Sequence, residues 1–332
     1  MHCLLSIKRE TVRDSKEREN IRMQCLILGG AGFLGSHLAN RLLREQNNII
    51  TVFDREQADF SNIKTVHNNL RMVTGNFCAD YDFRELLENQ EIVYHLVSTT
   101  VPSTSNIKLA EEIQDNVIPT IKLLQACVEQ RVKKIVFLSS GGTVYGAGKA
   151  APLKEDDEQM PICSYGIQKL TIERYLHLYF HLYGLDYRIV RLANPFGPFQ
   201  NPHGKVGAVT TFLWKIMHDE DITIFGDGSV IRDYIYVDDA IDGIMEIINQ
   251  KSDKKVFNLG SGKGYSLREI TDTAEAVLQK KASVRYESKR EMDVPYNVLD
   301  IQRYVEVTGK KPEVTLFEGM KKLAAFYEKM ER

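Results

Sequence analysis

Residues 26–38 read LILGGAGFLGSHL, a short apolar run followed by four glycines within seven positions and then by apolar residues at helical spacing. Glycines let a backbone turn tightly and approach a pyrophosphate, whose charge then faces the amides at a helix start. Gly30 to Gly35 satisfy G-x-G-x-x-G, and Gly29, Gly32 and Gly35 satisfy the wider G-x-x-G-x-x-G. A glycine-rich turn alone is only a turn. Here the next apolar run, NIITVFD, ends in Asp54, at the distance past Gly35 expected of a carboxylate that binds adenosine ribose hydroxyls. Strand, turn, helix and acid together predict dinucleotide binding, with Gly29, Gly32, Phe33, Leu34, Gly35 and Asp54 as contacts. An acid there repels a 2′-phosphate and favours NAD over NADP, while the neighbouring Arg55 works slightly the other way.

Outward from this stretch the same rhythm repeats. Apolar runs such as EIVYHLVS, KKIVFLSS and LDYRIVRLANP alternate with helical-period segments, which predicts an α/β fold with a doubly wound parallel sheet covered by helices on both faces. Beyond about residue 195 the rhythm breaks into Gly- and Pro-rich loops, NPFGPFQNPHG, FGDGS and GSGKG, read as a smaller α/β lobe. The expected organisation is a flexible extension over residues 1–22, a dinucleotide-binding domain over 23–193, and a substrate lobe over 194–332 that can interleave with the first. The extension is charged, mixed in sign and almost free of aromatics.

A chain of 332 residues is large enough for an enzyme of two lobes. Its 43 basic and 45 acidic residues nearly cancel, which argues against a nucleic-acid footprint or a membrane-surface patch. Five scattered cysteines without a C-x-x-C pair fit a reducing cytoplasm better than a disulfide framework or a zinc site. No apolar run approaches membrane-spanning length, and the expected metal content is none.

SYGIQKLTIERYLHLYF, residues 164–180, sets Tyr165 and Lys169 four apart on one helix face. In a doubly wound sheet, ligands sit at the carboxyl ends of the strands, so Ser139, Ser140 and Thr143, at the end of KKIVFLSSGGTVYG, are placed beside a dinucleotide. A phenol is a poor base at its ordinary pKa of about 10, and bringing it to about 7 requires roughly 4 kcal/mol. A neighbouring ammonium and an oxidised nicotinamide both favour the phenolate. A bare Y-x-x-x-K would be an incidental helix pair. Combined with the glycine turn and the hydroxyl-bearing strand end, it predicts a base and its electrostatic partner.

The glycine pattern, Asp54, HLVSTTVPS, SSGGTVYG, YGIQK and RLANPFGP together resemble the extended short-chain dehydrogenase/reductase family, in its nucleotide-sugar epimerase and dehydratase branch. The resemblance runs from about residue 23 to the carboxyl terminus and implies a Rossmann domain, bound NAD and a nucleotide-sugar substrate. It implies that Tyr165 exchanges a proton with a sugar hydroxyl while Lys169 binds the nicotinamide ribose. Asn76 falls where the family often has an Asp near the adenine. Arg232 and Arg290 would hold the diphosphate, Asp293 a ribose hydroxyl, and Asn194 would donate to the diphosphate; guanidinium forks suit phosphate. Asn297 falls at the position that gates the pocket for an acetamido group. The family's 4-epimerases usually carry a serine where this chain has Gly141, so the polarising hydroxyl must come from elsewhere, Thr143 first and Ser140 second.

With no carboxylate in SSGG, dehydration and decarboxylation are disfavoured, and the resemblance implies a UDP-hexose 4-epimerase, extending to N-acetyl forms. The competing readings are a nucleotide-sugar 4-ketoreductase and a non-catalytic dinucleotide sensor, the last opposed by the intact Tyr165 and Lys169. His177 and His181 lack the glutamate of a metalloprotease helix and read as face residues. His95 reads as a core or strand-end histidine and Cys163 as a bystander. The aromatic surplus of the 164–183 helix suggests a partner, and relatives in the family commonly dimerise through this helix and the one near 107–130.

Overall fold

The computed structural model describes residues 23–331 apart from 46, 65–67, 148–150, 205 and 290–293. The expected extension over 1–22, and Arg290 and Asp293 among the site residues, therefore lie outside the described residues.

Seven parallel strands form the main sheet: β1 (Gln24–Leu28), β2 (Ile49–Asp54), β3 (Leu70–Thr74), β4 (Ile92–His95), β5 (Lys134–Ser140), β6 (Asp186–Leu192) and β10 (Val256–Leu259). Their order is β10-β6-β5-β4-β1-β2-β3, so strand order reverses beside β1, between β1 and β4, where doubly wound sheets open a ligand crevice. Successive side chains of a strand face opposite sides, and both sides here are packed. Cys25 and Ile27 of β1 join one apolar core, whereas Leu26 and Leu28 join the other. This burial on both faces is why these strands read as continuous apolar runs.

The helices that matter for the site are α1 (Phe33–Leu43), α2 (Phe83–Leu87), α3 (Leu109–Glu112), α4 (Ile118–Glu129) and α5 (Ser164–Tyr183). The helix expected over 107–130 is interrupted by a π turn at Ile113–Val117, an irregularity that frequently marks functional sites. A long α5 is closed by Gly184, whose φ of +73° supplies the left-handed cap.

The remaining strands build a second layer. β9 (Ile231–Tyr236) is flanked by β7 (Asn194–Phe196), β11 (Gly264–Ser266) and β13 (Tyr296–Asn297), while β8 (Ile222–Phe225) pairs separately with β12 (Val284–Glu287). Helices α6 (Ala208–Met217), α7 (Val237–Asn249), α8 (Leu267–Leu278), α9 (Gln302–Thr308) and α10 (Leu316–Met330) surround them. Because β10 returns to pair with β6, the second half of the chain interleaves with the first sheet.

Candidate active site

The glycine turn is shaped by contacts that side chains would destroy. Gly29 has φ +80° and, with Gly30, donates its amide to Phe53 O, at 2.9 and 3.2 Å. A Cβ on Gly35 would lie 2.2 Å from Gly29 O and 2.5 Å from Gly30 Cα, so only glycine lets α1 settle onto the turn. Gly32 caps α1 without a side-chain bond, which leaves the first amides of the helix, from Phe33, Leu34 and Gly35, directed at the turn's open side. Asp54 accepts from Ala31 N at 2.9 Å and Arg55 N at 2.8 Å, so its carboxylate fastens the turn to the end of β2. Asn76 is exposed just past β3. A turn without room for side chains, a run of helix amides and a carboxylate one strand away fit a dinucleotide's pyrophosphate and ribose.

At the end of β5 the expected helix pair is in place. Lys169 is 5 % exposed; its Nζ donates to Leu138 O at 2.9 Å and lies 4.7 Å from the Phe137 ring centroid and 5.6 Å from that of Tyr165. Burial is the largest influence on both groups. It pushes the Tyr165 phenol up to about 12, against a hydrogen bond from the Ser140 hydroxyl that favours the phenolate. It pulls Lys169 down to about 8, opposed by the charge of Glu173. Burial alone therefore works against the phenolate and against the ammonium, so the phenolate depends on the charges gathered around it.

The two candidate hydroxyls are not equivalent. The Ser140 hydroxyl lies near enough to the Tyr165 phenol to favour its phenolate, whereas Thr143 Oγ1 is enclosed without a hydrogen-bond partner among the described residues. At Gly141 the space for a side chain is taken by Leu299.

Behind the pair lies a small hollow lined by Val97, Ser98, Asn116, Thr120, Tyr165 and Lys169. Asn116, on the π turn, accepts from Thr99 N at 2.9 Å and donates to Thr99 Oγ1 at 2.8 Å and Glu112 O at 3.0 Å. His95 Nε2 is 2.9 Å from Thr120 Oγ1, and burial lowers its pKa to about 3, so it is a neutral core histidine. Asn116 and the buried pair Glu173–Arg191 were not singled out from the sequence; a glutamate one turn beyond Lys169 on the same helix face was the available signal.

The second layer reaches the same end of β5. Arg232 Nη1 donates to Ile231 O and Val294 O, at 2.9 and 2.5 Å, and Asn194 Nδ2 donates to Asp233 O at 2.8 Å. Asp233 is fully buried, accepts from Ser261 N, Ser261 Oγ and Gly262 N, and is raised to about 6 by that burial. Asn297, the register partner of Arg232, donates Nδ2 to Gly141 O at 3.1 Å and leaves Oδ1 buried without a partner among the described residues. On the outer side, Leu109, Ile113, Ile162 and Ile167 line an exposed apolar groove between α5 and the segment before α4, with Ile107 exposed nearby in sequence.

Comparison with known proteins agrees with this geometry. Residues 25–260 match the model of the NAD dependent epimerase/dehydratase family. A UDP-glucose 4-epimerase of Mycolicibacterium smegmatis is 32 % identical over 92 % of this chain and 98 % of that protein. A dTDP-4-dehydro-6-deoxyglucose reductase of Escherichia coli is 31 % identical over 90 % of this chain and 95 % of that protein. Among solved structures, a UDP-glucose 4-epimerase of Thermotoga maritima with UDP-glucose superposes with a TM-score of 0.86 at 31 % identity, covering 93 % of this chain and 100 % of that one.

Proposed function

The chain belongs to the NAD-dependent epimerase/dehydratase family, and we propose that it is a UDP-hexose 4-epimerase acting by transient oxidation at carbon 4. The observation that carries this reading is the placement of Tyr165 and Lys169 together on one face of α5 at the open end of β5. NAD, the cofactor of the family, supplies the transient hydride acceptor when bound. Tyr165 takes the proton of the sugar hydroxyl and later returns it. Lys169 anchors the nicotinamide ribose and contributes positive charge beside the phenol, and Ser140 donates to the sugar oxygen as charge develops there. The turn from Gly29 to Gly35, with the amides of Phe33 and Leu34, holds the pyrophosphate, and Asp54 takes the adenosine ribose.

Asn76 lies beside the adenine in this reading. Asn194, Arg232 and Arg290 hold the diphosphate of the nucleotide sugar, Asp293 a ribose hydroxyl, and Asn297 borders the sugar pocket. The division into a dinucleotide domain over 23–193 and a nucleotide-sugar lobe over 194–332 follows these roles. A second copy of the chain is the partner proposed for the apolar faces of α5 and the 107–118 segment, supported by their exposure. The free thiols of Cys25, Cys78, Cys127 and Cys163 support a reducing cytoplasm, and no helix among the described residues is long and apolar enough to cross a membrane.

The test is to denature purified protein, identify the cofactor released, and assay UDP-glucose, UDP-galactose and their N-acetyl forms without added NAD. Turnover on retained NAD supports the epimerase. Stoichiometric consumption of reduced cofactor would instead favour a 4-ketoreductase, a reading kept open by the similarity to the Escherichia coli reductase. Cofactor binding without turnover would favour a sensor.

A further inference from the structure

Glu173 occupies the face of α5 that carries Tyr165 and Lys169, each one turn from the next. Consecutive residues of β5 receive this face: Leu138 O takes Lys169 Nζ, Ser139 Oγ donates to Glu173 Oε1 at 2.5 Å, and the Ser140 hydroxyl lies near the Tyr165 phenol. From β6, Arg191 closes on both oxygens of Glu173, Nε to Oε1 at 3.1 Å and Nη2 to Oε2 at 2.6 Å. Arg191 is itself fixed by bonds from Nη1 to Tyr145 Oη and Glu155 O, both at 3.0 Å. Glu173 is 3 % and Arg191 2 % exposed. Burying an ion pair carries a large desolvation cost, and apolar residues of similar size often hold a helix to a sheet as well or better. What an apolar residue could not do is set a fixed negative charge one turn from Lys169.

We propose that Glu173 is a positioning residue, clamped by Arg191 and Ser139 so that its carboxylate keeps Lys169 cationic and seated on Leu138 beside Tyr165. This rests on the epimerase reading for its functional meaning, but its electrostatic content does not. The titratable and charged groups around Lys169 are few. Tyr165 and Glu173 come from α5, and His95, neutral through burial, from β4. Arg191 of β6 stands behind Glu173, and Glu112 of α3 is engaged by Gln168. Among the described residues the hollow adds the neutral polar groups of Ser98, Asn116, Thr120 and Gln168. Lys169, already lowered by burial, has Glu173 as the charge that opposes the shift.

The decisive measurement is the titration of Lys169 by NMR of carbon-13-labelled lysine, its signal assigned by its loss in Lys169→Arg. Glu173→Gln keeps shape and removes charge, so the midpoint should fall by about one unit, the effect of withdrawing an opposite charge one helical turn away. The alkaline limb of kcat should move to lower pH by the same amount. Ser139→Ala loses the bond but keeps the charge and should leave the midpoint in place. Where Arg191 left unpaired prevents Glu173→Gln from folding, Glu173→Gln with Arg191→Met neutralises both partners and should show a smaller shift in the same direction. An unmoved midpoint in a folded Glu173 variant, an equal shift in Ser139→Ala, or failure of both neutral variants to fold overturns the proposal and makes the pair a stability element. Absence of turnover in the wild type would instead overturn the epimerase reading, while the titration still decides the role of Glu173.

Discussion

A Cβ built on Gly141 would lie 2.5 Å from Leu299 Cδ1, so a leucine brought in from the second layer fills the place that a side chain at the end of β5 would need. Leu299 is 1 % exposed, so its side chain can yield only by displacing the core around it. Gly141→Ser should therefore not restore a missing hydroxyl. It should overpack the strand end and cost about 1–3 kcal/mol, read as a lowered urea midpoint with an unchanged slope. Combining it with Leu299→Ala should recover less than the whole loss, since that change opens a cavity of its own. A Gly141→Ser protein as stable as the parent would show that Leu299 moves freely.

With position 141 closed, Ser140 and Thr143 are the candidate donors, and the proposed one is Ser140, the nearer influence on Tyr165. Tyr165→Phe should lose several orders of magnitude in turnover while still binding NAD, because the ring stays and the proton acceptor goes. Ser140→Ala should lose about 10- to 1000-fold, the range for one donor to a developing oxyanion. Thr143→Val should cost less than Ser140→Ala if Ser140 is the donor; Thr143 Oγ1, unpartnered among the described residues, is the competing one. Steady-state assays with each variant, and NAD binding by calorimetry, give the ranking; a larger loss at Thr143 than at Ser140 would reverse the assignment.

Asp54 both faces the cofactor crevice and fastens Ala31 N. Asp54→Ala should narrow the preference for NAD over NADP by removing a ribose contact and a repulsion together, and should weaken NAD binding further by loosening the turn. Titration of the wild type with both cofactors is the check: tighter binding of NADP would refute the role given to this carboxylate.

Much of this was legible in the chain itself. Gly29, Gly35 and Asp54 are local to one strand-turn-helix unit, and Tyr165 and Lys169 to one helix, so period and spacing were enough. The contacts that escaped join distant segments. Nothing in VFNL, residues 256–259, names β6 as its partner, although its burial requires a sheet. Neither does the spacing of Glu173 and Arg191 reveal an ion pair across a helix and a strand, or Leu299 its seat against Gly141. Protonation was also out of reach, because the upward push on Tyr165 and the downward push on Lys169 come from enclosure by the whole fold.

In the proposed reading Asn297 borders the sugar pocket, and it is smaller than the tyrosine expected of glucose-restricted relatives. UDP-N-acetylglucosamine should therefore be turned over at no less than about a hundredth of the rate on UDP-glucose, since one extra group in a pocket is worth on the order of 1–3 kcal/mol. Asn297→Tyr should widen the ratio against the N-acetyl sugar. Rates on both sugars, measured side by side, decide it.

Lys169 should be a liability for stability and a necessity for turnover. Its pKa is lowered by burial to about 8, so between pH 8 and its ordinary value the unfolded chain binds the proton that the folded chain has lost. Stability therefore rises with pH across that window, and below it the full cost of burying the ammonium is present. Linkage puts that cost, net of the bond to Leu138 O, at about 3 kcal/mol. Lys169→Met, which keeps the length of the side chain and discards the charge, should raise the urea midpoint at pH 7 and abolish turnover. Its advantage over the wild type should shrink as the pH is raised from about 8 to about 10. Unfolding curves at several pH values provide the comparison. A Lys169→Met protein less stable than the wild type at pH 7 would mean that the hydrogen bond and the nearby carboxylate of Glu173 outweigh desolvation, and that Lys169 is seated at no cost to the fold.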